Sequence, residues 1–309
     1  MARTARLLIV GLAVLVSACA VSSMPPAQVA TGQVPAQPAA LPAFSHIFIV
    51  VMENRELADV ERSRDAPYLN GLAAQYGLAR QFYGVSHPSL PNYLALLGGD
   101  TYGVDDDCTD CFQSGPTLID QLEGAGRSWK GYFESMPGPC FVGNSRDGLY
   151  VQKHNPFIYF DTIRQNPSRC GQLVPLEQLA GDLAASRLPD FVWIGPNMRS
   201  STHDGSIADG DRWLAATLPT VLGSDAFQQG GLLVVTYDEG RTSLGCCGRA
   251  KGGGRIMTVV ASPLGKPGFV SEVPHNLYGL LRTIEDAWGL DALGHAADPG
   301  TLSLAEFFS

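Results

Sequence analysis

Four short apolar runs constrain this chain more than any other feature. Ile47–Met52 reads Ile-Phe-Ile-Val-Val-Met, and Phe191–Ile194, Gly231–Tyr237 and Ile256–Ala261 are similarly apolar. A strand with one wet face alternates apolar and polar residues. Runs that do not alternate mark strands buried on both faces, as in parallel sheets. Weaker strand signals fall at Arg80–Tyr83 and Trp129–Phe133. Helical spacing appears between them, at Tyr68–Tyr76, Leu90–Leu97, Thr117–Leu122, Leu176–Ala185, Arg212–Leu222 and Asn276–Trp288. Strands interleaved with helices predict an α/β domain whose central sheet is mixed, mostly parallel, and covered by helices on both faces. Residues 99–111 and 137–170 are rich in Gly, Asp, Asn and Cys and read as loops, while the tail 297–309 is expected to dock on the surface.

Ligands of open α/β sheets bind beyond the carboxyl ends of the strands. Two acidic pairs stand there: Glu53-Asn54 after the first run and Asp238-Glu239 after the Val-rich one. Their oxygens suit a hard divalent cation, although acidic residues also mark ordinary solvated strand ends. The segment Gly84-Val-Ser-His-Pro-Ser-Leu-Pro-Asn-Tyr93 brings Ser89 to a helix entrance. A serine there caps exposed backbone N–H groups, or it serves as a nucleophile where the helix end stabilises an anion. Asn92 can donate its amide to a phosphate oxygen, and His87 can orient the loop or touch the ester. Pro196-Asn197 and Thr202-His203-Asp204-Gly205 follow the Phe191–Ile194 run. His203 there can contact phosphate or protonate a leaving oxygen, with Asp204 orienting it or binding metal; a plain Asp-Gly turn has the same sequence. His275, at the start of the last helix, is a further site candidate. His154 and His295 read as structural and His46 as peripheral.

The N-terminus reads as an export signal over residues 1–19. Arg3 and Arg6 precede an apolar Leu7–Val16 core, too short for an ordinary membrane span. Val16-Ser17-Ala18-Cys19 resembles a bacterial lipobox, so Cys19 is the expected lipidation site and residues 20–43, rich in Ala and Pro, a flexible tether. The expected location is the bacterial cell envelope, lipid-anchored to the membrane; the alternative is a secreted or periplasmic protein. Residues 44–309 then form a single catalytic domain. With 21 basic and 30 acidic residues and no basic run, the composition argues against nucleic acid as a routine partner. Of seven cysteines, the six beyond Cys19 suit disulfides in an exported protein, with 15 pairings open. Cys108-x-x-Cys111 alone also fits a redox pair or half a zinc site. Esterase-elbow, Walker, dinucleotide and His-Glu-x-x-His motifs are absent.

Val51-Met-Glu-Asn54, Ser86-His-Pro-Ser-Leu-Pro-Asn-Tyr93, Pro196-Asn197, His203-Asp204-Gly205, Tyr237-Asp-Glu-Gly240 and the stretch His275–Asp286 together resemble the bacterial phosphoesterase family. That family holds acid phosphatases and phosphatidylcholine-type phospholipases C of the alkaline-phosphatase-like superfamily. The resemblance implies that fold, with Ser89 as the nucleophile of a phosphoserine mechanism. It implies a metal set of Glu53, Asn54, Ser89, Asp238 and Glu239, and places His203 and Asp204 near the phosphate, which adds to the His87 and Asn92 contacts read from the residues. The histidine and aspartate ligands of a two-zinc site are incomplete, so one divalent ion is expected: Ca, Mg or Mn before Zn. The expected substrate is a small phosphomonoester, with a phospholipid head group cleaved in phospholipase C fashion as the alternative. A non-enzymatic surface binding protein is the remaining reading.

Overall fold

The computed structural model describes Met1, Ala2 and residues 41–308. The export signal, Cys19 and all but the end of the tether lie outside the described residues. Among the described residues, nine strands make one sheet: β1 Ile47–Met52, β2 Gly77–Tyr83, β3 Trp129–Phe133, β4 Leu173–Pro175, β5 Phe191–Gly195, β6 Leu232–Tyr237, β7 Arg255–Ala261, β8 Phe269–Ser271 and β9 His275–Asn276. Their order is β4-β3-β5-β1-β6-β7-β2-β8, with β9 also on β2. The two most apolar runs, β1 and β6, lie side by side at the centre, and every residue of both is buried. Burying each Val, Leu, Ile or Phe contributes about 1.5–3 kcal/mol, so these strands have no stable place at a sheet edge.

All pairings are parallel except those of β7, which runs antiparallel to both β6 and β2. Two reversals restore direction, so β2 points the same way as β1, β5 and β6. The carboxyl ends of all four therefore open on one edge. This single topological fact gathers the four polar segments that the sequence singles out.

Two pairs of helices flank the sheet. Pro67–Gln75 packs on Ile207–Leu222, and Ser89–Gly98 packs on Leu277–Trp288. The Ile207 helix begins earlier than its apolar spacing predicts, because Ser206 and Asp209 form a reciprocal capping box. Asp211 on the same helix caps its neighbour: its carboxylate accepts the Tyr68 and Leu69 N–H groups at 3.0 and 2.8 Å. The loop-rich excursions fold back onto the sheet edge, held by disulfides Cys108–Cys111 and Cys140–Cys170, with Cys246–Cys247 in the loop after β6. The short strands β4, β8 and β9 carry too few residues to show in the sequence pattern.

Candidate active site

Met52 pairs in register with Tyr237, so Glu53 and Asp238 leave the sheet side by side. The Asn54 N–H donates to Asp238 Oδ1 at 3.0 Å, and Asn54 adopts a left-handed backbone (φ 59°) that asparagine tolerates better than most residues. Gly84 brings the third segment in. A Cβ there would meet the Asp238 carbonyl at 2.8 Å and that of Gly253 at 2.9 Å, so only glycine lets the chain after β2 lie against the end of β6.

That chain delivers Ser89. The helix cap is Pro88, which makes no side-chain bond, so Ser89 is not spent on capping. Its hydroxyl donates to Glu53 Oε2 at 3.0 Å. One turn along the same helix face, the Tyr93 phenol donates to Glu53 Oε1. The next free amide of the helix, on Leu90, donates to Asp107 Oδ1 at 3.1 Å.

The fourth segment is fixed by Arg55, which donates to the carbonyls of Thr202 at 2.8 Å and Gly205 at 2.9 Å. It presents His203 beside two residues of the loop excursion. His203 Nε2 lies 3.2 Å from Lys153 Nζ, and Nδ1 lies 2.8 Å from Asp204 Oδ1. An ammonium only donates, so Nε2 is the acceptor and Nδ1–H donates to Asp204. In this tautomer His203 offers a lone pair rather than a proton. His154 Nε2 stands 3.1 Å from Glu53 Oε1. One ligand atom each from Glu53, His154 and His203 lie within 4.8 Å of one another.

Four expectations change. His154 is a site residue, not a structural one: the excursion carrying it folds back over the sheet edge, where it is buried against Tyr93. Asn92 has no amide proton left for phosphate. Its Nδ2 donates to the Ser86 and Pro88 carbonyls, and its Oδ1 accepts the Val85 and Ser86 N–H groups; Asn92 therefore shapes the loop before Ser89. His275 is not brought to the cluster, because its ring nitrogens face Glu306 Oε1 at 2.6 Å and the Leu302 carbonyl at 3.2 Å. It locks the C-terminal tail. His87 pairs with Glu239 and with the Thr242 carbonyl, so Glu239 is turned to His87. Tyr93, Lys153 and Asp107 join the site without having been foreseen. Only Tyr93 left a signal, its place one helical turn after Ser89.

The electrostatics are uneven. Burial would raise the Glu53 carboxyl, but the His154 charge, hydrogen bonds from His154 and Tyr93, and Lys153 outweigh it and hold the group at about 2. Asp238 moves the opposite way, well above the usual carboxylate range, through burial and then the charges of Glu53 and Glu239. Burial also raises Glu239, against the pull of His87. Ser89 has one proton, committed to Glu53, which leaves the buried Asp238 Oδ2 without a partner. Two buried carboxylates, Glu53 and Asp238, one with an orphaned oxygen, make a set of donors short of positive charge. That set, flanked by two imidazoles, fits a divalent cation.

The fold is of the alkaline-phosphatase-like class. The chain superposes on a protein of the alkaline phosphatase superfamily from Vibrio parahaemolyticus with a TM-score of 0.57 at 13% identity, covering 85% of this chain and 72% of that one. It superposes on the phosphonate monoester hydrolase of Silicibacter pomeroyi with a TM-score of 0.52 at 12% identity, covering 85% and 76%. At that identity the likeness concerns the fold.

Within that class the chain belongs to the Phosphoesterase family, whose profile matches residues 59–291. It is 34% identical over 274 residues to the phosphatidylinositol-3-phosphatase of Mycobacterium tuberculosis, covering 87% of this chain and 85% of that protein. It is 30% identical over 262 residues to an acid phosphatase of Aspergillus fumigatus, covering 82% of this chain and 56% of the fungal one. The chain thus spans little more than half the length of that relative.

Proposed function

We propose that this protein is a metal-dependent phosphomonoesterase of acid-phosphatase type, acting through a phosphoserine at Ser89. The observation that carries the reading is the Ser89 hydroxyl, uncommitted to helix capping and 3.0 Å from Glu53 among buried carboxylates. Glu53, Asn54, Ser89 and Asp238 would hold the ion, with His154 and His203 able to complete its ligands. A carboxylate held near 2 is a weak base for an alcohol. A divalent cation supplies what is missing, favouring the ionised hydroxyl and neutralising charge on the phosphoryl oxygens.

The chain's own residues do the rest. Tyr93, its phenol pushed far up by burial and by Glu53 and Asp238, stays a donor and fixes the rotamer of Glu53. The N-terminal end of the Ser89 helix dipole stabilises negative charge beside the nucleophile, while Leu90 N–H is held by Asp107. Lys153 stays protonated despite its burial, through Asp107, Glu53 and Asp238, and faces the anion with a full charge. His203, its ring oriented by Asp204, turns the Nε2 lone pair toward the cluster.

The phosphatases among the relatives support this choice over phosphodiester cleavage. Export and lipid attachment at Cys19 remain part of the proposal, placing the domain at the cell envelope; mass spectrometry of the mature N-terminus tests it. For the chemistry, metal-depleted protein is assayed on a phosphomonoester with Ca, Mg, Mn or Zn restored singly. Activity should return with one ion in the wild type and stay absent in Ser89→Ala. Full activity after depletion, or in Ser89→Ala, overturns the reading.

A further inference from the structure

The helix that carries Ser89 begins with an unmet hydrogen-bonding need. The first amides of a helix have no partner within it, and the residue at this cap, Pro88, makes no side-chain bond. Pro91 has no N–H to satisfy, and the Ser89 hydroxyl is turned to Glu53. The Leu90 N–H therefore needs an acceptor from elsewhere, and Asp107 Oδ1 supplies it at 3.1 Å. The other oxygen of the same carboxylate, Oδ2, lies 2.7 Å from Lys153 Nζ, which stands 3.2 Å from His203 Nε2. A single side chain thus ties the first turn of the nucleophile's helix to the ammonium that faces the phosphoryl group. Both of its oxygens are taken, and the ligand atoms that converge come from Glu53, His154 and His203, not from Asp107.

A carboxylate that serves two partners has to be held to within about 0.5 Å. The chain after Asp107 is built for that. Cys108 is bonded to Cys111 across a sequence separation of 3, against 30 for Cys140–Cys170. The entropy removed from the unfolded chain grows with the loop closed, so the short link contributes less to global stability and acts locally. The Cys108 carbonyl accepts the Tyr159 hydroxyl, and the Thr109 carbonyl accepts the Gln152 side-chain amide, both at 2.8 Å. Tyr159 and Gln152 are themselves buried. The Cys111 carbonyl accepts the Gln113 side-chain amide at 2.9 Å. Asp105 and Asp106, before Asp107, are exposed, so its position is set from the disulfide side.

We propose that Asp107 is a positioning residue of this active site: it sets Lys153 against the phosphoryl group and satisfies the helix so that Ser89 stays free, and Cys108–Cys111 is the clamp that keeps it there. The inference rests on the phosphomonoesterase reading. Asp107→Asn tests it, because the amide keeps an oxygen for Leu90 and removes the charge that holds Lys153. Wild type, Asp107→Asn, Lys153→Ala and the double variant are compared in three measurements: kcat/KM on phenyl phosphate with Ca, Mg, Mn or Zn supplied singly, calorimetric affinity for inorganic phosphate, and the urea midpoint. Asp107→Asn should lower kcat/KM and phosphate affinity about ten-fold each and leave the midpoint close to wild type. In the Lys153→Ala background it should change neither, and Asp107→Glu should recover part of the loss. Replacing Cys108 and Cys111 by Ser should lower kcat/KM about three-fold in the wild type and not at all in Asp107→Asn. An equal fall with and without Lys153, or no fall, overturns this inference alone. Full activity without the disulfide overturns the clamp. A wild type inert on the ester with every ion overturns the phosphomonoesterase reading, and this one with it.

Discussion

Glu285 lies within the helix Leu277–Trp288 and is wholly buried. Burial raises its carboxyl to about 8, although the Leu293 N–H and Arg282 pull the other way. Glu285 Oε1 accepts the Leu293 N–H at 2.8 Å, while Oε2 and the neighbouring Gln121 Oε1 are both buried acceptors without a partner. A proton on Glu285 resolves the conflict, because an O–H then meets Gln121. Glu285→Gln copies that protonated form: it keeps the acceptor for Leu293 and turns an N–H toward Gln121. The folded value lies above the unfolded 4.5. Below 4.5 the group is protonated in both states and has no effect. As pH rises to 8 the unfolded chain ionises first, so stability falls, and the loss levels off above 8. The full interval corresponds to about 5 kcal/mol at most. Relaxation and water entry around the ion reduce it, and ~2 kcal/mol is the expected effect. In urea titrations the variant should match the wild type near pH 5 and exceed it by ~2 kcal/mol near pH 8.5. An equal difference at both pH values, or a less stable variant in alkali, refutes the argument.

Lys153→Ala should lower kcat/KM by on the order of a hundred-fold, with Lys153→Arg recovering part of it; steady-state kinetics decide, and an unaffected alanine variant removes Lys153 from the site. Asp211→Ala should cost ~1–2 kcal/mol in denaturant titration, because two N–H groups at the Pro67–Gln75 helix lose their acceptor. Replacing both Cys140 and Cys170 by Ser frees a loop of sequence separation 30. It should cost ~3 kcal/mol and lower activity as well, because that loop carries Lys153 and His154.

Much of the fold was legible because burial on both faces leaves a plain mark. The non-alternating runs of β1, β5, β6 and β7 gave a mixed sheet, and the rule that ligands gather at carboxyl ends placed Glu53, Asp238 and His203 on one edge. The direction of β2 was hidden, since it depends on β7 running antiparallel to both neighbours. Segments distant in sequence that return to the site were illegible for the same reason. Nothing local distinguishes His154 from a loop histidine until residues 137–170 are folded back and held by Cys140–Cys170. Asn92 shows the converse. Its position suits a phosphate ligand, yet the loop before Ser89 leaves four backbone groups that only its amide satisfies. His275 was misread because its helix entrance is occupied by the C-terminal tail, a contact that no spacing reveals.

The central claim is that Ser89, made nucleophilic among buried oxygen donors, takes the phosphoryl group covalently. Acid-quenching the metal-loaded enzyme during turnover of a phosphomonoester and mapping the modification by peptide mass spectrometry tests it directly. A phosphoryl group on the peptide residue Ser89, absent from Ser89→Ala, is the predicted result. Turnover with an unmodified Ser89, or with the group on another residue, contradicts it.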